Sequence, residues 1–87
     1  MLKVSVISPE AILFEGEVDS VVAPAFDGEV GILQHHAPMV TLLGTGELRL
    51  KGGGSDRRFT VEGGFLQVVD DQVRVVTEKA TAQETAS

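Results

Sequence analysis

The sequence predicts an all-β fold, a small antiparallel β-sandwich. Three observations point there. Apolar and polar residues alternate with a period of two through much of the chain. Turn-forming residues interrupt these runs at short intervals. Helix-forming composition is confined to the last residues.

Taken in order, Leu2, Val4 and Val6 alternate with Lys3 and Ser5, as a half-buried strand does. Glu17 to Val22 begins acidic and turns apolar. Gly28 to Pro38 joins two glycines, an acid, a short apolar strand, a histidine pair and a proline. Leu48-Arg49-Leu50-Lys51, Arg58-Phe59-Thr60-Val61 and Gln72-Val73-Arg74-Val75 repeat the alternation. Phe65 to Val69 is apolar enough for a central strand.

Between them stand Glu15-Gly16, Asp27-Gly28, Gly44-Thr45-Gly46, Gly63-Gly64 and Asp70-Asp71, each a turn signal. Gly52 to Asp56 reads as a hairpin tip. Glu78 to Ala86 holds helix formers but no apolar face, and an isolated helix that short is marginal in water. The expectation is one sandwich domain over residues 1–80 and a frayed or disordered tail over 81–87.

Composition narrows the function. A chain of 87 residues makes one domain, and such a domain buries only about 60–65% of its unfolded surface. Mean hydropathy of +0.16 argues against disorder. No cysteine is present, so neither disulfides nor thiol chemistry enter. The net charge of −6 repels phosphates, and with no Trp or Tyr there is little platform for bases. Nucleic acid is therefore not an expected partner. No apolar run approaches the roughly 20 residues of a membrane span, and the start lacks a signal-peptide layout. A soluble, non-secreted domain is expected.

Candidate chemistry is thin. His35-His36 suggests a metal, but adjacent side chains of an extended segment point to opposite faces, and a site needs three or four converging ligands. A general-base histidine needs a nucleophile and an orienting partner, and nothing places Ser8, Ser20 or Thr41 together with one. The glycine clusters do not match a phosphate loop, because Lys51 precedes the glycines and strand-like sequence follows them. Asp70-Asp71 and Glu15/Glu17 are most simply turn and solvent-face acids. No cofactor is implied, and no catalytic residue is nominated. One alternative is a lipoyl-type carrier domain modified at Lys79. Thr77-Glu78-Lys79-Ala80-Thr81 looks like the carrier motif, yet only eight residues follow the lysine.

The run Gly28-Glu29-Val30-Gly31-Ile32-Leu33-Gln34-His35-His36-Ala37-Pro38 resembles the loop-strand-loop of the epsilon subunit of F-type ATP synthases. The usual form there is close to Gly-Glu-Leu-Gly-Ile-(Leu/Tyr)-Pro-Gly-His-Ala-Pro. The likeness runs along the chain. Ser8-Pro9-Glu10 through Val18 looks like the family's first hairpin, and Thr41 stands three residues after Pro38, as in the family. Gly46-Glu47-Leu48-Arg49 and Gly63-Gly64-Phe65-Leu66-Gln67-Val68 resemble two further landmarks. Val73 to Ala80 resembles the last strand of the family's β-domain.

The resemblance implies a sandwich of about ten strands and a non-catalytic rotor subunit. Such a subunit sits at the foot of the gamma subunit on the ring of c subunits, and couples proton flow to ATP synthesis. It implies a location on the cytoplasmic face of a bacterial energy-coupling membrane, or the organellar equivalent. Contact with the c ring would fall to Glu29, Gly31, His36, Ala37 and Pro38. Contact with gamma would fall to Ser8, Met39, Val40, Thr41 and Leu42, although Val40 and Leu42 are equally open to being core strand residues.

Two departures stand out. Gln34-His35 replaces the frequent Pro-Gly, which implies a less sharply turned loop. The family's C-terminal helical hairpin, which inhibits hydrolysis and in some members binds ATP, has no counterpart within these residues, so neither role is implied.

Overall fold

The computed structural model describes residues 1–52 and 56–83. Its strands in order are β1 (Leu2–Ile7), β2 (Ile12–Val18), β3 (Ser20–Ala25), β4 (Gly28–Ile32) and β5 (Met39–Leu42). They continue as β6 (Thr45–Lys51), β7 (Arg57–Glu62), β8 (Phe65–Val69), β9 (Gln72–Val76) and β10 (Lys79–Gln83). Two five-stranded sheets result, one ordered β2-β1-β9-β8-β5 and the other β10-β7-β6-β3-β4. The expected sandwich of ten strands is borne out. Strands pair antiparallel except β1 with β9, which run parallel. Seven other elements separate these two in sequence, so the pair is not constrained to the antiparallel sense of a hairpin.

The period of two becomes the core. Leu2, Val4, Val6, Leu66, Val68, Val73 and Val75 point inward from the first sheet and are buried. They meet Val21, Ala23, Ile32, Leu48, Leu50, Phe59 and Val61 of the second sheet in one apolar cluster. The alternate residues face water, as the pleat demands.

The stretch Glu17–Val22 is not one strand but a corner. Its buried residues Val18 and Val21 are three apart, which breaks the period of two. The chain leaves the first sheet at Val18 and enters the second at Ser20, while the Asp19 N–H donates to the Lys51 carbonyl at 2.7 Å.

Gly63-Gly64 turns the chain back from β7 to β8. Gly64 holds a φ of 102°, and a Cβ there would drive into the Val76 carbonyl, so only glycine fits. Beside it lies Thr77, buried on the connection from β9 to β10. Its hydroxyl is within 3.3 Å of the Glu62 carbonyl and 3.0 Å of those of Gly63 and Lys79. The single O–H donates to one of these at a time and so joins two sheet-to-sheet crossings.

The last described residues are extended. Lys79 to Gln83 pair with β7, opposite Glu62 to Arg58, three residues past the expected boundary at 80. Ala80 packs on the core from this strand. A partner strand offers these backbone groups hydrogen bonds that a solitary short helix could not match. Residues 84–87, and 53–55 of the expected hairpin tip, lie outside the described residues.

Candidate functional site

The outer face of the first sheet is divided along its strands. One row of direct neighbours reads Ile12, Ile7, Val76, Phe65, Leu42 across β2, β1, β9, β8 and β5. Every member is apolar. Five strands spaced by about 4.8 Å make this band roughly 19 Å long. Ile12 and Leu42 at its ends are 62% and 63% exposed, and Phe65 is 38% exposed. The adjacent row reads Glu15, Ser5, Arg74, Gln67, Val40, and the one beyond it Glu17, Lys3, Gln72, Val69. Apart from Val40 and Val69, the apolar surface of this face is gathered at the end of the sheet where β8 begins and β9 ends.

The expected gamma-facing residues divide about this band. On β5, Val40 and Leu42 point outward and are exposed, so they are not core residues. Met39 and Thr41 stand opposite the buried Val68 and Leu66 and point inward. Met39 packs against the core. Ser8 follows Ile7 in the turn leading to β2, where its hydroxyl donates to the Ala11 carbonyl at 3.2 Å. Ile7, Ile12, Phe65 and Val76 were not nominated from sequence. Their signal was present: Ile7 and Val76 end outward rows that are otherwise polar, Lys3-Ser5 and Gln72-Arg74.

The other candidate group lies on β4 and the loop after it. Glu29 and Gly31 are exposed on the edge strand, while Val30 and Ile32 turn toward the core. Glu29 is not alone. Arg49 of β6 donates from Nη2 to its Oε2 at 3.2 Å, and the Arg49 Nε lies 3.6 Å from Glu47. Glu29 is therefore partly neutralised before any partner arrives.

The loop from Leu33 to Pro38 passes the tip of the β8–β9 hairpin. That tip is the two-residue turn Asp70-Asp71, both at positive φ (50° and 60°), the pattern of a primed hairpin turn. Asp71 accepts the His35 N–H at 2.6 Å, and its other oxygen lies 3.8 Å from the His35 ring. His35 holds a φ of 64°, so the turn expected to soften without glycine keeps its left-handed residue. His36 Nδ1 donates to the Ala37 carbonyl at 2.7 Å. In a neutral His36 this leaves Nε2 as an acceptor. Among the described residues no three His, Asp or Glu are placed to hold a metal ion. This loop and the apolar band sit at opposite ends of the β8–β9 hairpin.

Lys79 opens β10 directly after a sheet-to-sheet crossing, with its Nζ 3.9 Å from Glu62. It is not at the tip of a hairpin, where a carrier lysine is displayed.

The family model for the ATP synthase delta/epsilon chain β-sandwich domain matches residues 1–83. The chain belongs to this family. The epsilon chain is a structural and regulatory subunit, not a catalytic one. An ATP synthase epsilon chain of Leptospira borgpetersenii serovar Hardjo-bovis (strain JB197) is 48% identical over 83 residues, 95% of this chain and 65% of the relative. One from Dehalococcoides mccartyi (strain CBDB1) is 45% identical over 83 residues, 95% of this chain and 59% of the relative. The chain thus spans about three-fifths of the relatives' length. Among solved structures, a chain of the Euglena gracilis mitochondrial ATP synthase superposes with a TM-score of 0.84 at 25% identity, over 93% of this chain and 52% of that one. A chain from the Tetrahymena thermophila central stalk and c ring shares the fold, with a TM-score of 0.76 at 16% identity over 92% of this chain and 65% of that one.

Proposed function

We propose that the domain is the β-sandwich of a central-stalk rotor subunit in a proton-translocating F-type ATP synthase. It carries out no chemistry. Its apolar band docks the gamma subunit, and Glu29 with the His36-Ala37-Pro38 corner meets the c ring. The sandwich between them passes rotation from one to the other, coupling proton flow to ATP synthesis. The domain is then peripheral to the membrane through its complex, on the cytoplasmic face in a bacterium.

The observation that carries this is the separation of the apolar band from the polar His35–Pro38 loop at opposite ends of the β8–β9 hairpin. Glu29 stands apart from that loop, at the start of β4 near the Ala25 pairing with Gly28 and Leu43. A band of apolar residues rimmed by polar rows has the character of a protein interface core. Glu29 and His36 offer charge and hydrogen bonds, which suit polar loops better than apolar helices. The sequence match over residues 1–83 supports the assignment to this complex.

The test uses the purified domain against isolated gamma subunit and isolated c ring. Leu42→Asp should abolish measurable gamma binding and leave ring binding intact. Glu29→Arg should do the reverse. Loss of both interactions in either variant, with the fold retained, would contradict two separate surfaces. Undiminished binding in both variants would refute the assignment.

A further inference from the structure

The loop that carries the His36-Ala37-Pro38 corner passes beside the tip of the β8–β9 hairpin. Among the described residues, the His35 N–H to Asp71 carboxylate bond is the side-chain hydrogen bond linking this loop to another element. Elsewhere the loop and the Asp70-Asp71 turn face each other across a cleft of about 430 Å³. We propose that Asp71 is a positioning residue for the ring-facing corner, and that its carboxylate sets the geometry in which His36, Ala37 and Pro38 are presented. This rests on the assignment of that corner to the c ring.

The physical need is local. His35 bears a Cβ and yet sits at φ 64°, a conformation disfavoured for such residues unless something holds it. A carboxylate accepting a backbone N–H is a charge-assisted bond, stronger than a neutral one. The 2.6 Å separation is at the short end for such a pair. Oδ1 takes the N–H, while Oδ2 faces the imidazole 3.8 Å away, so both sides of His35 look onto the same group.

Asp71 is itself well held. It stands in a turn closed by the Val69–Gln72 pair, and its own carbonyl accepts the Lys3 N–H at 2.9 Å. Its carboxylate is half-buried, whereas the His35 side chain is 87% exposed. The fixed partner is therefore the aspartate, and the loop is what it fixes. His36 follows directly, and its ring bond to the Ala37 carbonyl carries the imposed direction on to Pro38.

The test compares Asp71→Ala with Asp71→Asn, which keeps a carbonyl oxygen and tolerates positive φ. In the free domain, amide hydrogen exchange at His35 should quicken about tenfold in Asp71→Ala and be largely restored in Asp71→Asn. Docking on the isolated c ring should weaken about tenfold in Asp71→Ala and recover in Asp71→Asn, with gamma binding unchanged in both. Unaltered exchange in Asp71→Ala overturns the proposal. So does faster exchange with full ring affinity, provided His36→Ala still weakens docking; the ring assignment then survives alone. If Asp71→Ala and His36→Ala both leave docking untouched, the ring assignment falls and takes the proposal with it.

Discussion

Leu42 and Phe65 are direct cross-strand neighbours in the band, yet they divide their energy differently between fold and partner. Leu42 is 63% exposed, so roughly three-fifths of the 1.5–3 kcal/mol for burying such a side chain remains to be gained on docking, about 1–2 kcal/mol. Phe65 is 38% exposed and keeps only about 0.6–1 kcal/mol for the partner; the larger share is already spent inside the domain. Leu42→Ala should therefore weaken gamma binding about 5- to 30-fold while lowering domain stability by about 0.5–1 kcal/mol. Phe65→Ala should reverse the balance, weakening binding about 3- to 6-fold and stability by about 1–2 kcal/mol. Titration calorimetry against gamma reads the first quantity. Far-ultraviolet circular dichroism on heating reads the second, since the chain has no Trp or Tyr to report by fluorescence. Because the two side chains adjoin, the double variant should depart from additivity, whereas Leu42 paired with Ile12 at the far end should not. Equal binding losses of zero, or a Leu42→Ala variant that loses more stability than affinity, would refute the docking role of the band.

The remaining predictions concern other parts of the domain. Gly64→Ala should destabilise by about 3 kcal/mol or more, seen as a large fall in Tm, because the positive φ and the Val76 carbonyl both exclude a Cβ. Thr77→Val should cost about 1–2 kcal/mol in denaturant unfolding through the lost hydroxyl donor between the two crossings. Glu29→Ala removes a screened surface pair with Arg49, so its unfolding free energy should change by less than about 1 kcal/mol, while the ratio of ATP made to protons passed should drop in the reconstituted complex. Thr41→Arg should damage the fold as well as gamma binding, because Thr41 faces inward opposite Leu66; thermal unfolding separates it from Leu42→Asp, whose Tm should fall by only a few degrees.

Much of the architecture was legible because sheets write themselves as alternation. Leu2, Val4 and Val6 announce β1, and Gln72 to Val75 announce most of β9. The corner at Asp19 could also have been found, from the odd spacing of Val18 and Val21. The final strand was harder. Lys79 to Gln83 has modest β-propensity, and its extended form comes from the waiting edge of β7, a tertiary effect that no local window contains. The sidedness of Met39 to Leu42 was hidden for a different reason. Four residues of similar character carry no phase of their own, and it is the register against β8 that sends Val40 and Leu42 outward. The band likewise exists only once five strands are laid side by side. The Arg49 contact to Glu29 and the Asp71 contact to His35 join residues 20 and 36 positions apart, beyond the reach of any motif.

The β8–β9 hairpin runs from the apolar band to the His35 loop, with Phe65 and Val76 at one extremity and Asp70-Asp71 at the other. A load entering at the turn and leaving at the band travels lengthwise along these two strands. Where that load passes on to Ile7 or Leu42, the rungs of β9 to β1 and of β8 to β5 are strained sideways together and not peeled one after another. Geometry of that kind resists pulling far better than its free energy of folding alone would suggest. A domain with a small core can in this way resist load lengthwise along its strands, the direction that would matter to the proposed rotor.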